Sequence, residues 1–179
     1  MENNQQAWLP EDYELPERES KYMKLVKGTN RFRIMGRPII GYEWWTEDED
    51  GRHPNRFRTK GDLPKDAVSE VKHFWAFVVW NVDEETFQIL QITQKTIQKA
   101  IRSLVADTDW GNPTSYDIVI ERTGEDLKTE YAVNPKPAKK LPKEVTDGYK
   151  DFACNLEALY DGGDPFTVEE TEDKEELPF

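Results

Sequence analysis

The chain of 179 residues has one cysteine, Cys154, and two histidines, His53 and His73. A single thiol excludes an intramolecular disulfide, and three such ligands in all cannot build a cysteine–histidine zinc site, so neither a metal nor another cofactor is expected. No apolar run is long enough to cross a bilayer, and none near the amino terminus has the pattern of a signal peptide. No membrane contact and a reducing, cytoplasmic setting are therefore expected. Nothing matches a glycine loop that cradles phosphate, and Cys154 sits on an apolar stripe, where a thiol is core rather than nucleophile.

An excess of positive charge is missing too. The net charge is −12, which taken alone argues against a polyanionic partner. Its distribution reverses that conclusion. Residues 1–19 hold six acidic side chains and one basic, residues 161–179 hold eight and one, and the body between them is neutral. Within the body the signs are segregated: Lys21, Lys24, Lys27, Arg31, Arg33 and Arg37 follow one another with no acid between them. Arg52, Arg56, Arg58 and Lys60 repeat the pattern. These runs are candidate phosphate contacts.

What is abundant is aromatic and β-branched residues. Residues 73–82 (HFWAFVVWNV) read as the strongest strand, and Thr86 to Thr93 alternates after the polar Asp83-Glu84-Glu85 turn, so the two form a hairpin. At Thr93 the period shifts towards 3.6, with Ile97, Ala100, Ile101, Leu104 and Val105 on one stripe and the Thr93 hydroxyl placed to cap the helix. Strands at residues 116–122 and 129–135 pair across a Thr-Gly-Glu-Asp turn. A long strand over residues 31–45 precedes the hairpin, with a bulge or bend at Gly36 and Pro38. Three strands, a helix and two strands give a mainly β chain with the layout of a five-stranded Greek-key OB-fold barrel, its helix lodged between strands 3 and 4. Residues 1–20 read as an acidic lead-in, 21–136 as the OB-fold domain, 137–160 as a basic linker and an amphipathic helix, and 161–179 as a disordered acidic tail.

The candidate site residues follow from this layout. Lys27, Arg31, Arg33, Arg37, Arg56, Arg58, Lys60 and Lys72 are placed to pair with phosphates, and Trp44, Trp45, Phe57, Trp75 and Phe77 to stack on bases. Phe57, between two arginines, falls in residues 51–71, a polar segment that reads as a functional loop. Alternation separates His73, Trp75, Phe77 and Val79 from Phe74, Ala76, Val78, Trp80 and Val82. Only one set can line the barrel; the other must meet nucleic acid, the carboxy-terminal helix or another subunit. Lys72 and His73 continue the side of Trp75 and Phe77, so that side is expected to face outward. The Lys-Pro connector at residues 136–143 either binds phosphate or holds a linker open.

The Arg31-Phe32-Arg33, Gly41-Tyr42-Glu43-Trp44-Trp45, Lys72 to Trp80, Ile92 to Ile97, Asp109 to Pro113 and Thr129-Glu130-Tyr131 segments together resemble bacteriophage single-stranded-DNA-binding proteins of the OB-fold type, over residues 21–136. Independently, the acidic run closing in Leu177-Pro178-Phe179 is similar to the tip of bacterial single-stranded-DNA-binding proteins, which ends in Ile-Pro-Phe. The resemblance implies a protein of the bacterial host cytoplasm that coats single strands in phage DNA replication, recombination or repair. It also implies a tail, Glu175, Glu176, Leu177, Pro178 and Phe179, that recruits replication or recombination enzymes, and it leaves a homodimer open. The zinc cluster and basic amino-terminal segment of the T-even branch are not matched.

Two other classes compete. Asp117, Glu121 and Glu130 on neighbouring strands could form a metal-dependent nuclease site, but alternating carboxylates on a strand more commonly form a solvated face, so no enzyme is expected. The total charge also suits an acidic interaction module, a DNA mimic or inhibitor of a host enzyme, that binds no DNA.

Overall fold

A computed structural model describes residues 21–63 and 71–166. Its strands are β1 (Gly28–Ile34), β2 (Ile39–Asp48), β3 (Gly51–Phe57), β4 (Lys72–Asn81), β5 (Thr86–Ile92), β6 (Asp117–Thr123) and β7 (Glu130–Pro135), with helices α1 (Lys95–Ala106) and α2 (Lys143–Asp151). All pair antiparallel in one sheet of order β3-β2-β4-β1-β6-β7, with β5 on the other edge of β4. The chain is mainly β, as its alternating strand patterns predict, but the sheet has seven strands among the described residues rather than five and is open. Among the described residues β5 does not pair with β7; the edge of β5 instead meets Lys21 to Met23, whose backbone exchanges two 2.9 Å hydrogen bonds with Ile89.

The two extra strands have local causes. The long strand expected over residues 31–45 breaks into β1 and β2 because Gly36-Arg37-Pro38 leaves the ladder. Ile34 faces Val79 and Ile39 faces Ala76, so four residues between them span only two of β4. Such an excess is a bulge, and Pro38 has no N–H to give to the ladder. The polar stretch after residue 50, expected as a loop, begins with β3. Gly51 at φ 119° closes a tight turn in which Asp48 Oδ1 accepts the Asp50 N–H at 2.9 Å, and seven residue pairs then join β2 to β3. Charge and Pro54 hid this strand; both are tolerated at a sheet edge.

The β4–β5 hairpin and α1 form as expected, with one change at the helix start. Gln94, not Thr93, occupies the cap position, and it makes no side-chain cap bond to the helix amides. Gln98, which the apolar stripe gave no reason to notice, is buried and donates to His73 O and Ile92 O. Those two bonds tie the first turn of α1 to both strands of the hairpin.

Both faces of β4 are buried. Phe77 and Val79 join Phe32, Ile34, Leu90, Ile92, Ile97, Tyr116, Ile118 and Ile120 in the main core. Phe74 and Ala76 join Ile89 and Leu159 in a second layer under the carboxy-terminal segment. Phe77 is 2% exposed, so the expectation that it faces outward is wrong. Trp75, half-buried, packs against the same core. Phe77 is buried as well as Phe74 because Ile97 and Ile101 of α1 lie over its face and need apolar partners there.

The helix expected around Tyr149 to Tyr160 is also different. Helix α2 ends at Asp151, Phe152 to Asn155 is extended, and a 3-10 turn runs over Leu156–Asp161. Phe152, Cys154 and Leu156 alternate with exposed Ala153, Asn155 and Glu157, a period of 2 that fits an extended strap rather than a helix. Burial in this layer pushes the Cys154 thiol up from its ordinary value. The lead-in (residues 1–20), part of the polar segment (64–70) and most of the tail (167–179), with Glu175 to Phe179, lie outside the described residues.

Gly41 is where the second layer is tightest: a Cβ there would stand 2.3 Å from Phe57 O and 3.0 Å from the Phe74 ring. Gly41→Ala is therefore expected to cost about 1–3 kcal/mol, because β3 or Phe74 must shift to admit it. Urea unfolding of the variant against the parent checks this, and an unchanged midpoint would mean the β2–β3 contact is looser than the geometry indicates.

Candidate nucleic-acid interface

The β2–β3 hairpin reaches beyond the main core, so its two faces carry side chains that the core does not need. Alternation sets Ile40, Tyr42 and Trp44 on one face of β2 and Gly41, Glu43 and Trp45 on the other. The register extends each face sideways. Tyr42 lies opposite Phe57 on β3 and His73 on β4, Ile40 lies opposite Trp75, and Trp44 lies opposite Asn55. One face therefore collects Tyr42, Trp44, Phe57, His73 and Trp75, each half-buried, together with Ile40, which is 52% exposed. The Tyr42 and His73 rings are 5.1 Å apart, and the Lys60 ammonium stands 5.5 Å from the Tyr42 ring.

The opposite face is built on a buried carboxylate. Glu43 accepts hydrogen bonds from Trp45 Nε1 (3.1 Å), Arg56 Nε (2.9 Å) and Gln91 Nε2 (2.5 Å), and Arg56 also donates to Gln91 Oε1 at 3.0 Å. That network fixes the Trp45 indole, which the Arg52 guanidinium approaches at 5.1 Å. Trp45, Arg52, Lys72, Glu47 and Thr93 line a cleft of about 510 Å3 above Glu43. Lys72 is exposed, and among the described residues it makes no ion pair. An indole edged by a guanidinium and an ammonium can take a flat π system with an attached anion.

The structure sorts the expected phosphate contacts into three groups. Arg56, Arg58, Lys60 and Lys72 stand around the hairpin, but Arg56 is spent on Glu43 and Gln91, and its side chain is only 11% exposed. Arg58 pairs with Glu157 and lies 4.3 Å from the Tyr160 ring, so it clamps the carboxy-terminal strap while staying largely open to solvent. Lys27, Arg31 and Arg33 lie on β1 and just before it, beside β6. Lys27 pairs with Glu125 at 3.4 Å, Arg31 with Asp117 at 2.9 Å and Arg33 with Asp117 at 2.7 Å. Arg33 is 3% exposed and donates also to Thr114 O and Lys139 O, which makes it a structural residue and not a phosphate contact. Arg37 lies exposed on the β1–β2 bulge, and among the described residues it makes no ion pair.

Of the expected stacking residues, Trp44, Trp45, Phe57 and Trp75 gather at the hairpin, on two faces, and Phe77 does not join them. Phe57 ends β3 beside Tyr42 rather than riding a loop. Tyr42 and His73 belong to the site and were not singled out as stacking residues, whereas Arg52 was expected only as one of a basic run. The alternation that placed Trp44 also places Tyr42; His73 is added by the register of β2 on β4 and Arg52 by that of β2 on β3, a strand the sequence did not reveal. Asp117, the first carboxylate of the conceivable nuclease set, is buried and engaged by two arginines. Among the described residues no three His, Cys, Asp or Glu side chains gather where they could hold a metal ion. No protein-family model, curated protein or solved structure matches this chain, so any reading of its function rests on the geometry of the hairpin.

Proposed function

We propose that this protein binds single-stranded DNA along the β2–β3 hairpin and the first half of β4, without strong sequence preference. In this reading it coats and protects single strands in phage DNA replication, recombination or repair. The observation that carries it is the gathering of Tyr42, Trp44, Phe57, His73 and Trp75 on one hairpin face, with Trp45, Arg52 and Lys72 on the other. Each base stacked on such a ring contributes about 1–3 kcal/mol whatever its identity, and each phosphate neutralised steepens the dependence on salt. The pairing of β1 and β2 with β4, of β4 with β5 and of β6 with β1 and β7, with α1 between β5 and β6, supports an OB-type topology. In that topology Lys21 to Met23 take the edge of β5 where a closed barrel would seat β7. The outer face of β4 and β5 is filled by the strap, which leaves the hairpin as the place for a strand. The acidic residues 167–179, ending in Leu177-Pro178-Phe179, are read as a hook for partner enzymes.

The test is a titration of oligo-dT into the full chain at two salt concentrations, following tryptophan fluorescence. Trp44→Ala is expected to weaken binding by 1–2 orders of magnitude, and Lys72→Ala to flatten the log K against log salt slope by about 0.7. A chain ending at Phe166 keeps Leu159 and Phe166 in the second layer, whereas an earlier end would open it; tighter binding by that chain would show that the tail competes with DNA. No quenching by any form overturns the single-strand reading and favours an acidic interaction module.

A further inference from the structure

His73 sits at the centre of the aromatic face with both ring nitrogens engaged. Nδ1 is 2.8 Å from Gly41 O, and Nε2 is 3.3 Å from Trp75 Nε1. A carbonyl oxygen only accepts and an indole N–H only donates. The two bonds can form together in one state alone: Nδ1 carries the proton, Nε2 offers its lone pair, and the ring is neutral. The carbonyl of the same residue accepts from Gln98, so α1 holds the backbone while the imidazole holds Trp75. The ring also rests against Tyr42.

Resting on the single-strand reading, we propose that His73 is a positioning residue of the stacking face: its neutral imidazole locks the Trp75 indole and supports the Tyr42 ring. The imidazolium has donors on both nitrogens, so its Nε2–H would point at the Trp75 N–H and the lock would open. The charged groups around it are Lys60, over Tyr42, and Lys72, its neighbour in the chain on the opposite face. Among the described residues no carboxylate pairs with His73, so nothing compensates an added positive charge with a new ion pair. Acid then has two effects of opposite sign on binding: an extra cation steepens the salt dependence, and a freed indole weakens the part that salt does not touch.

These parts separate in a salt series. Oligo-dT affinity is measured between pH 8 and 5.5 at several salt concentrations and extrapolated to 1 M salt, where phosphate pairing is screened and stacking remains. For the parent chain the extrapolated affinity is expected to fall about fivefold on acidification, because a freed indole loses part of the stacking that one base contributes. In His73→Gln and in Trp75→Phe it is expected to stay flat, because one lacks the imidazole and the other the N–H. Circular dichroism and the urea midpoint establish that both variants fold. An extrapolated affinity that does not change with pH in the parent, or that falls equally in both variants, overturns the proposal. The free protein gives an independent arm: a fluorescence change on acidification that vanishes in both variants reports the His73–Trp75 bond even if no form binds DNA. If that change is present and binding absent, the single-strand reading fails and takes the proposed role with it; if binding is present and the change absent, only the role of His73 fails.

Discussion

Glu43→Leu is expected to destabilise the fold by about 3–5 kcal/mol, read as a fall in the urea midpoint. Glu43 is 4% exposed, and its carboxylate accepts three hydrogen bonds, from Trp45 on its own strand, Arg56 on the neighbouring β3 and Gln91 on β5. With leucine in its place, the Arg56 guanidinium stays in the second layer with Gln91 Oε1 as its remaining acceptor and the Phe74 ring at 5.9 Å. A buried cation that loses its counter-ion costs far more than the pair contributed. The double variant Glu43→Leu with Arg56→Leu removes both charges and is therefore expected to recover much of the loss. That recovery is the non-additivity a double-mutant cycle measures. The network also holds the Trp45 indole, so the single variant should weaken oligo-dT binding at denaturant-free conditions where it remains folded. A single variant that unfolds at the parent's midpoint would show that β3 is held by its ladder alone.

The same residues mark the limit of what the sequence disclosed. The β4–β5 hairpin, α1, β6 and β7 were legible because each has a clean period and a turn signal between neighbours. The bulge at Gly36 and Pro38 was legible for a similar reason, since Pro38 cannot serve a ladder. Strand β3 was not, because an edge strand is allowed charge and proline, and Gly51-Arg52-His53-Pro54-Asn55-Arg56-Phe57 therefore looks like a loop. Without β3 there was no partner for Glu43, and Arg56 read as a ligand cation. Segregated positive charge identified Arg33 and Arg56 but could not say what faces them. Pairing with Asp117 and Glu43, distant in sequence, depends on sheet register, which no local pattern encodes. The strap was misread from Tyr149, Phe152, Leu156, Leu159 and Tyr160, whose spacing approximates a helical stripe. The alternation of Phe152, Cys154 and Leu156 was the better signal, and it was short enough to be outvoted.

Asp117→Ala is expected to cost a similar 3–5 kcal/mol, from the other end of the sheet. Asp117 Oδ1 and Oδ2 take the Nε donors of Arg33 and Arg31, which lie on β1, the strand next to β6. Arg33 also donates to Thr114 O at 3.2 Å and to Lys139 O at 2.8 Å, so one buried cation fastens the turn before β6 and the connector after β7 onto β1. Neutral carbonyls cannot supply the lost negative charge, and in Asp117→Ala that cation is buried unpaired. Asp117→Asn keeps an acceptor for Arg33 but not the charge, and should fall between the parent and the alanine variant in the urea midpoint. The binding outcome is expected to be the reverse. Arg31 and Arg33 belong to the β1–β6 side and not to the hairpin, so folded Asp117→Asn should bind oligo-dT with the parent's affinity and salt slope. A slope steeper by about 0.7 would mean that Arg31, released from Asp117, has turned to a phosphate, and that the strand runs past β1 as well as along the hairpin. Lost stability with unchanged binding is the signature of an arginine held for the fold, and only such a pair of measurements separates it from one held for a ligand.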